Sequence, residues 1–80
     1  MNIKLYDLPE KPHCVLADGP YEIDGDGGYE YVVCFGSDEG DPIEAKKAMW
    51  RISSFDEAYR FGEELAAKYD LEFLPELMPA

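Results

Sequence analysis

The apolar residues of this chain change their period at Ser54, and that change constrains the fold more than any other feature. Over residues 29–35 the sequence YEYVVCF alternates, with Tyr29, Tyr31, Val33 and Phe35 on one side and Glu30, Val32 and Cys34 on the other. Aromatic and β-branched residues at a period of two predict a strand, the strongest in the chain. Residues 47–52 alternate likewise, setting Ala48, Trp50 and Ile52 against Lys47, Met49 and Arg51. From Ser54 the spacing becomes three and four: Phe55, Ala58, Tyr59, Gly62, Leu65, Ala66 and Tyr69 form one helical stripe, with Arg60, Glu63, Glu64 and Lys68 mostly elsewhere. Ser54 and Glu57 fit a capping box, and Asp56 adds negative charge at the positive helix end. A helix is therefore predicted from about Ser54 to Tyr69. Gly62 inside it costs about 1 kcal/mol relative to alanine, and is read as marking a close approach to the sheet.

Shorter strand candidates cover residues 2–6, 13–17 and 21–24, the last two separated by Asp18, Gly19 and Pro20. Glycines at 25, 27 and 28 make a turn, residues 37–41 before Pro42 make an exposed loop, and 71–74 reads as a short edge strand that Pro75 ends. Strands followed by one amphipathic helix, with no repeated βαβ unit, predict an α+β fold: a small antiparallel sheet of three to five strands packed against one C-terminal helix. With 80 residues, a single domain spanning 1–80 is expected. A domain this small buries only about 60% of its unfolded surface, so self-association stays open as a source of stability. Trp50 and Phe55 are expected in the core, with about half of the six tyrosines.

The chain carries 18 acids against 7 bases, a formal net charge of −11. With 46% hydrophobic and 14% aromatic residues it has enough apolar material to fold, which excludes the disorder that such charge alone suggests. The charge is local. Between Pro12 and Ala45 there is no lysine or arginine, while Asp18, Glu22, Asp24, Asp26, Glu30, Asp38, Glu39, Asp41 and Glu44 all lie there; Lys46, Lys47 and Arg51 follow closely. A surface of this kind repels nucleic acid and anionic membranes and attracts basic partners. Cys14 and Cys34 are too few for a secreted disulfide scaffold, the segment MNIKLYDLPE lacks the regions of a signal peptide, and no apolar run approaches the ~18 residues of a membrane span. A cytoplasmic location is expected.

Chemical motifs argue against an enzyme. Asp24-Gly25-Asp26-Gly27 suggests a calcium loop, but the register puts Tyr29 where the loop needs glycine and Phe35 where it needs glutamate. Cys14, Cys34 and His13 fall short of a four-ligand zinc site, and two strand cysteines are more simply small hydrophobes than nucleophiles. The glycine cluster precedes a strand and is flanked by acids, so it is no phosphate cradle. With 18 acids, carboxylates will pair by chance, and the chain is too short for the usual substrate cleft of a glycosidase. No cofactor and no metal are expected. The candidate partner-binding residues are Asp18, Tyr21, Glu22, Asp24, Asp26, Tyr29, Glu30, Asp38, Glu39 and Asp41. Side chains two apart on a strand lie about 6.6 Å apart on one face, so Glu22, Asp24 and Asp26 would form a row of anionic oxygens, imitating nucleic acid, if the strand extends that far. The plainer alternative is that these acids form a solvated face.

Taken as a whole, with its acidic strand-rich half (YEIDGDGGYEYVVCFGSDEGD) and its amphipathic helix (SSFDEAYRFGEELAAKYD), the chain resembles the small anti-CRISPR proteins encoded by phages and mobile elements. The likeness is one of size and layout along the full length, without a diagnostic motif. It points to those acting on type I surveillance complexes, the I-C subtype being one candidate. It implies inhibition by binding the effector complex at its DNA-recognition surface, in the host cytoplasm, with no cofactor. The rival expectations are an antitoxin-like or regulatory module that masks another basic partner, and a structural homodimer whose acidity serves only solubility.

Overall fold

The alternating segments and the helical stripe form the elements that their periods dictate, in a computed structural model that describes residues 8–25 and 27–79. Strand β1 is Cys14–Glu22, β2 is Tyr29–Gly36, β3 is Met49–Ile52, helix α1 is Phe55–Lys68 and β4 is Glu72–Leu77. The fold is α+β, with one four-stranded sheet in the order β3-β2-β1-β4. The strand candidate at 2–6 lies outside the described residues.

The first three strands pair antiparallel, as hairpin-linked strands do, but β4 runs parallel to β1, so the sheet is mixed. The cause is α1, which leaves β3 at one edge and delivers the chain to the opposite edge, crossing over β2 and β1. The short strand expected at 71–74 extends to Leu77 and passes through Pro75. An edge strand needs ladder bonds on one side only, so it can carry a residue without an N–H.

The two strands expected at 13–17 and 21–24 are one strand. Asp18 pairs with Val32 and Tyr21 with Glu30, three steps on β1 against two on β2, so one extra residue is accommodated as a bulge at Gly19–Pro20. Gly19 has φ +140, and a Cβ there would stand 2.8 Å from a ring carbon of Tyr31. The bulge thus needs glycine both for its backbone and for space.

The expected β3 is shorter than its alternation suggested. After a turn at 37–41, Pro42 and Ile43 pair back onto the end of β2, with the Ile43 N–H donating to the Phe35 carbonyl at 2.9 Å. The chain then leaves the sheet, makes a 3-10 turn at Lys46–Ala48, and rejoins at Met49. Ile43 and Ala48 are both buried, which holds this excursion to the core.

Helix α1 begins as expected. The Ser54 hydroxyl accepts from the Glu57 N–H at 3.4 Å, with Asp56 and Glu57 in the first turn and Lys68 in the last. A Cβ on Gly62 would stand 2.4 Å from the Phe73 ring, so this glycine does mark the close approach between helix and sheet. Beneath α1, Val15, Ala17, Tyr31, Val33 and Phe35 are buried together with Ala58, Leu65 and Ala66. Aromatic rings meet edge to face around them: Tyr31 with Phe55 at 5.9 Å, Phe35 with Tyr69 at 5.7 Å, and Trp50 with Phe61 at 5.0 Å. Trp50 and Phe55, expected within the core, instead pack against it and are only partly buried.

Candidate partner-binding surface

Strand alternation sends every second residue to the face that α1 does not cover. On β1 these are Cys14, Leu16 and Asp18; on β2, Gly36, Cys34, Val32 and Glu30; on β3, Met49 and Arg51; on β4, Glu72, Leu74 and Glu76. In the pairing register, Leu74, Leu16, Cys34 and Met49 form one row across all four strands, and Glu76, Asp18, Val32 and Arg51 form the next. A sheet face left to water ordinarily alternates polar-out. Here its middle is apolar.

The bulge brings Tyr21 onto the same face. Without the extra residue, alternation from Asp18 would put Tyr21 on the helix side; with it, Tyr21 pairs with Glu30 and its hydroxyl donates to Asp18. Asp18 is held from two sides, since its other oxygen accepts from the Gly19 N–H at 2.9 Å. That hydroxyl–carboxylate bond is the main reason the Tyr21 phenol ionises only above its ordinary range, with the nearby negative charges of Asp18 and Glu76 acting in the same direction.

Between Tyr21 and the 39–44 loop the open face forms a concavity of about 590 Å³. Leu16, Val32, Cys34, Met49 and Leu74 make its floor, and Asp18, Glu39, Glu44 and Glu76 stand at its rim. Among the described residues no lysine or arginine lines it. Arg51 lies outside, 3.8 Å from Glu30, and is largely exposed, so this pair contributes about 0–1 kcal/mol. Cys34 is 4% exposed although it lies on the uncovered face, because its floor neighbours shield it. Burial raises its thiol to about 11, with Cys14 and then Asp18 adding to the shift; Cys14 is raised as well, by burial first and by Glu72 second. Both thiols are protonated at neutral pH and suit packing better than nucleophilic attack.

The ten candidate residues fall in different places. Asp18, Tyr21 and Glu39 come together around the concavity. Strand β1 stops at Glu22, and the Ile23 N–H closes onto the Gly28 carbonyl at 3.0 Å, so Asp24 sits in the turn and does not extend a strand row beyond Glu22. Tyr29, 48% exposed, pairs with Glu22 at that same end. Asp26 lies outside the described residues. Glu30 is half-buried on the open face beside Arg51. Asp38 and Asp41 are exposed in the β2–β3 turn, where the Ser37 hydroxyl accepts from the Glu39 and Asp41 N–H groups at 3.3 and 3.2 Å. The two acidic turns sit at opposite ends of β2, about 23 Å apart by strand rise.

Sequence reasoning passed over the apolar floor and two rim acids, Glu44 and Glu76. The signal was present in Val32 and Cys34, which sit opposite the core side of β2, and in Met49. Glu76 was hidden because β4 was expected to stop at Pro75.

Among the described residues no group of three or more His, Cys, Asp or Glu side chains is gathered to hold a metal ion, and no helix is long and apolar enough to cross a membrane. No family model matches the chain, and neither the curated proteins nor the solved structures contain a match.

Proposed function

We propose that this protein is a non-catalytic acidic inhibitor, which occupies a basic nucleic-acid-binding surface on a partner protein and so excludes nucleic acid from it. One observation carries the proposal. Of the nine acids between Pro12 and Ala45, the eight described are on the surface, Glu30 half-buried and the other seven exposed, in a stretch with no lysine or arginine. Concentrating like charge this way lowers fold stability through self-repulsion. A partner whose lysines and arginines are spaced for phosphates offsets that cost, because carboxylates then replace the counterions of those cations.

The likeness to small anti-CRISPR proteins selects the partner to test, a type I CRISPR effector complex, with its DNA-recognition surface as the target. Purified type I effector complexes are incubated with the protein and target-DNA binding is measured. The expected result is loss of DNA binding for at least one complex. Affinity for that complex should weaken by about tenfold or more between ~0.1 M and ~0.5 M salt, since contacts at a charged surface are screened beyond a Debye length of about 10 Å at 0.1 M. DNA binding untouched in every complex would overturn the proposal for this partner. Self-association is the weaker alternative, because the acids around the open face would meet their own kind across a two-fold interface.

A further inference from the structure

We infer that the helix-free sheet face, and not either acidic turn, is the docking surface, and that its occupant is a partner segment carrying apolar side chains flanked by lysine or arginine. This deepens the proposed function and rests on it, naming the place and the chemistry of the contact with the basic partner.

Three features lead there. The floor row of Leu74, Leu16, Cys34 and Met49 crosses four strands, about 14 Å at the usual strand spacing. An α-helix is about 10–12 Å across with its side chains, so the floor accepts one helix face or an extended segment. The concavity, about 590 Å³, falls within the roughly 300–1,000 Å³ typical of binding sites. Apolar groups left half-exposed in such a hollow are a site for contact that charge alone does not explain.

The rim identifies the occupant by charge. Four acids, Asp18, Glu39, Glu44 and Glu76, surround the floor from β1, the 39–44 loop and β4, and among the described residues no lysine or arginine lines the hollow. An apolar segment without charge would leave these carboxylates facing its ends unpaired, and an acidic one would be repelled. A second copy of this chain would bring the same four acids against them. A basic amphipathic segment satisfies floor and rim together: its apolar side chains cover the leucines, Val32 and Met49, while its cations reach the carboxylates at the margin. Pure phosphate mimicry by the turns would need no apolar floor at all.

The Asp18–Tyr21 contact gives this margin a fixed element. The bulge puts the phenol ring, 45% exposed, beside the floor, and its hydrogen bond holds the Asp18 carboxylate over the face. Tyrosine in this setting supplies apolar area at little loss of freedom.

The test is an amide-shift titration of the labelled full chain with two probes: a short peptide of leucines and lysines patterned as an amphipathic helix, and an oligolysine of equal charge. The amphipathic probe should bind about tenfold tighter or more, with the largest shifts at Leu16, Val32, Cys34, Met49 and Leu74. The paired substitution Leu16→Ser and Leu74→Ser should remove that advantage while leaving oligolysine binding unchanged. If the variant does not fold, the shift map of the natural chain still decides. Equal affinity for both probes, with shifts centred on Asp24 and Asp38, overturns the surface assignment and leaves a basic partner intact. Burial of the floor amides in a dimer that forms without either probe also overturns it. If neither probe binds at any salt concentration, the basic-partner proposal falls with it.

Discussion

On the face beneath α1, Val15, Val33 and Phe35 have no exposed surface, whereas on the opposite face of the sheet Leu16, Val32 and Met49 are half-exposed. Both faces are apolar at the centre. The covered one is closed by a helix whose glycine lets it sit directly on Phe73, and its rings lock edge to face. The other is bordered by carboxylates and covered by no element among the described residues. Since apolar burial stabilises in proportion to area removed from water, the covered face supplies most of the folding energy. What the open face keeps exposed is available for a partner.

This division can be broken at several points. Phe35→Ala removes a ring that is fully buried and touches both Trp50 and Tyr69. It should cost about 3–5 kcal/mol, against a total stability of roughly 4–12 kcal/mol for a chain of this length. Urea titration should show a protein close to unfolded. The same measurement on Leu16→Ser should lose only about 1 kcal/mol, near half the value of full burial. A larger loss there would place Leu16 in the structural core and weaken the contrast between the faces.

The second effect is in pH. The thiol of Cys34 is raised from 9.0 to about 11 in the folded chain, so it holds its proton over a range where the unfolded chain has given it up. Its contribution is constant below pH 9 and is lost as pH rises from 9 to about 11. Each unit is worth about 1.4 kcal/mol, so stability should fall by about 2–3 kcal/mol more over that window in the natural chain than in Cys34→Ala. Parallel falls in the two proteins would mean that Cys34 is less shielded than its floor neighbours suggest.

Two smaller changes probe the covered face alone. Gly62→Ala gains about 1 kcal/mol of helix propensity, but its methyl would meet the Phe73 ring, itself held by Tyr59 at 5.3 Å. Overpacking costs about 1–3 kcal/mol, so the net expectation is a loss near 1 kcal/mol by thermal unfolding. Ser54→Ala deletes the helix cap and should cost about 0.5–1 kcal/mol. Neither should alter partner binding, because both lie away from the open face.

How much of this was legible in the sequence depends on the range of the interaction. Local patterns were sufficient for β2, for α1 with its cap, and for the core side of each alternation, because period and capping are properties of neighbouring residues. The direction of β4 was not local: it follows from a helix crossing the whole sheet, and no residue in the segment 71–77 encodes it alone. The bulge was equally hidden, since Asp18-Gly19-Pro20 reads as a break between strands until Val32 and Glu30 supply the pairing. With it went the placement of Tyr21 on the open face. The acids themselves were plain, but their grouping was not, because Glu76 reaches Asp18 only through the parallel ladder.

The division between the faces is tested most directly by inhibition of a type I effector complex with three proteins side by side. These are the natural chain, the open-face variant Leu16→Ser with Leu74→Ser, and a helix-side variant, Glu63→Gln with Glu64→Gln, which removes two exposed charges. The expected result is that the natural chain blocks target-DNA binding, the open-face variant is weaker by about tenfold or more, and the helix-side variant stays within about twofold of the natural chain. An open-face variant as potent as the natural chain, with the helix-side variant impaired, would contradict the assignment of the binding surface. No inhibition by the natural chain would contradict the choice of partner.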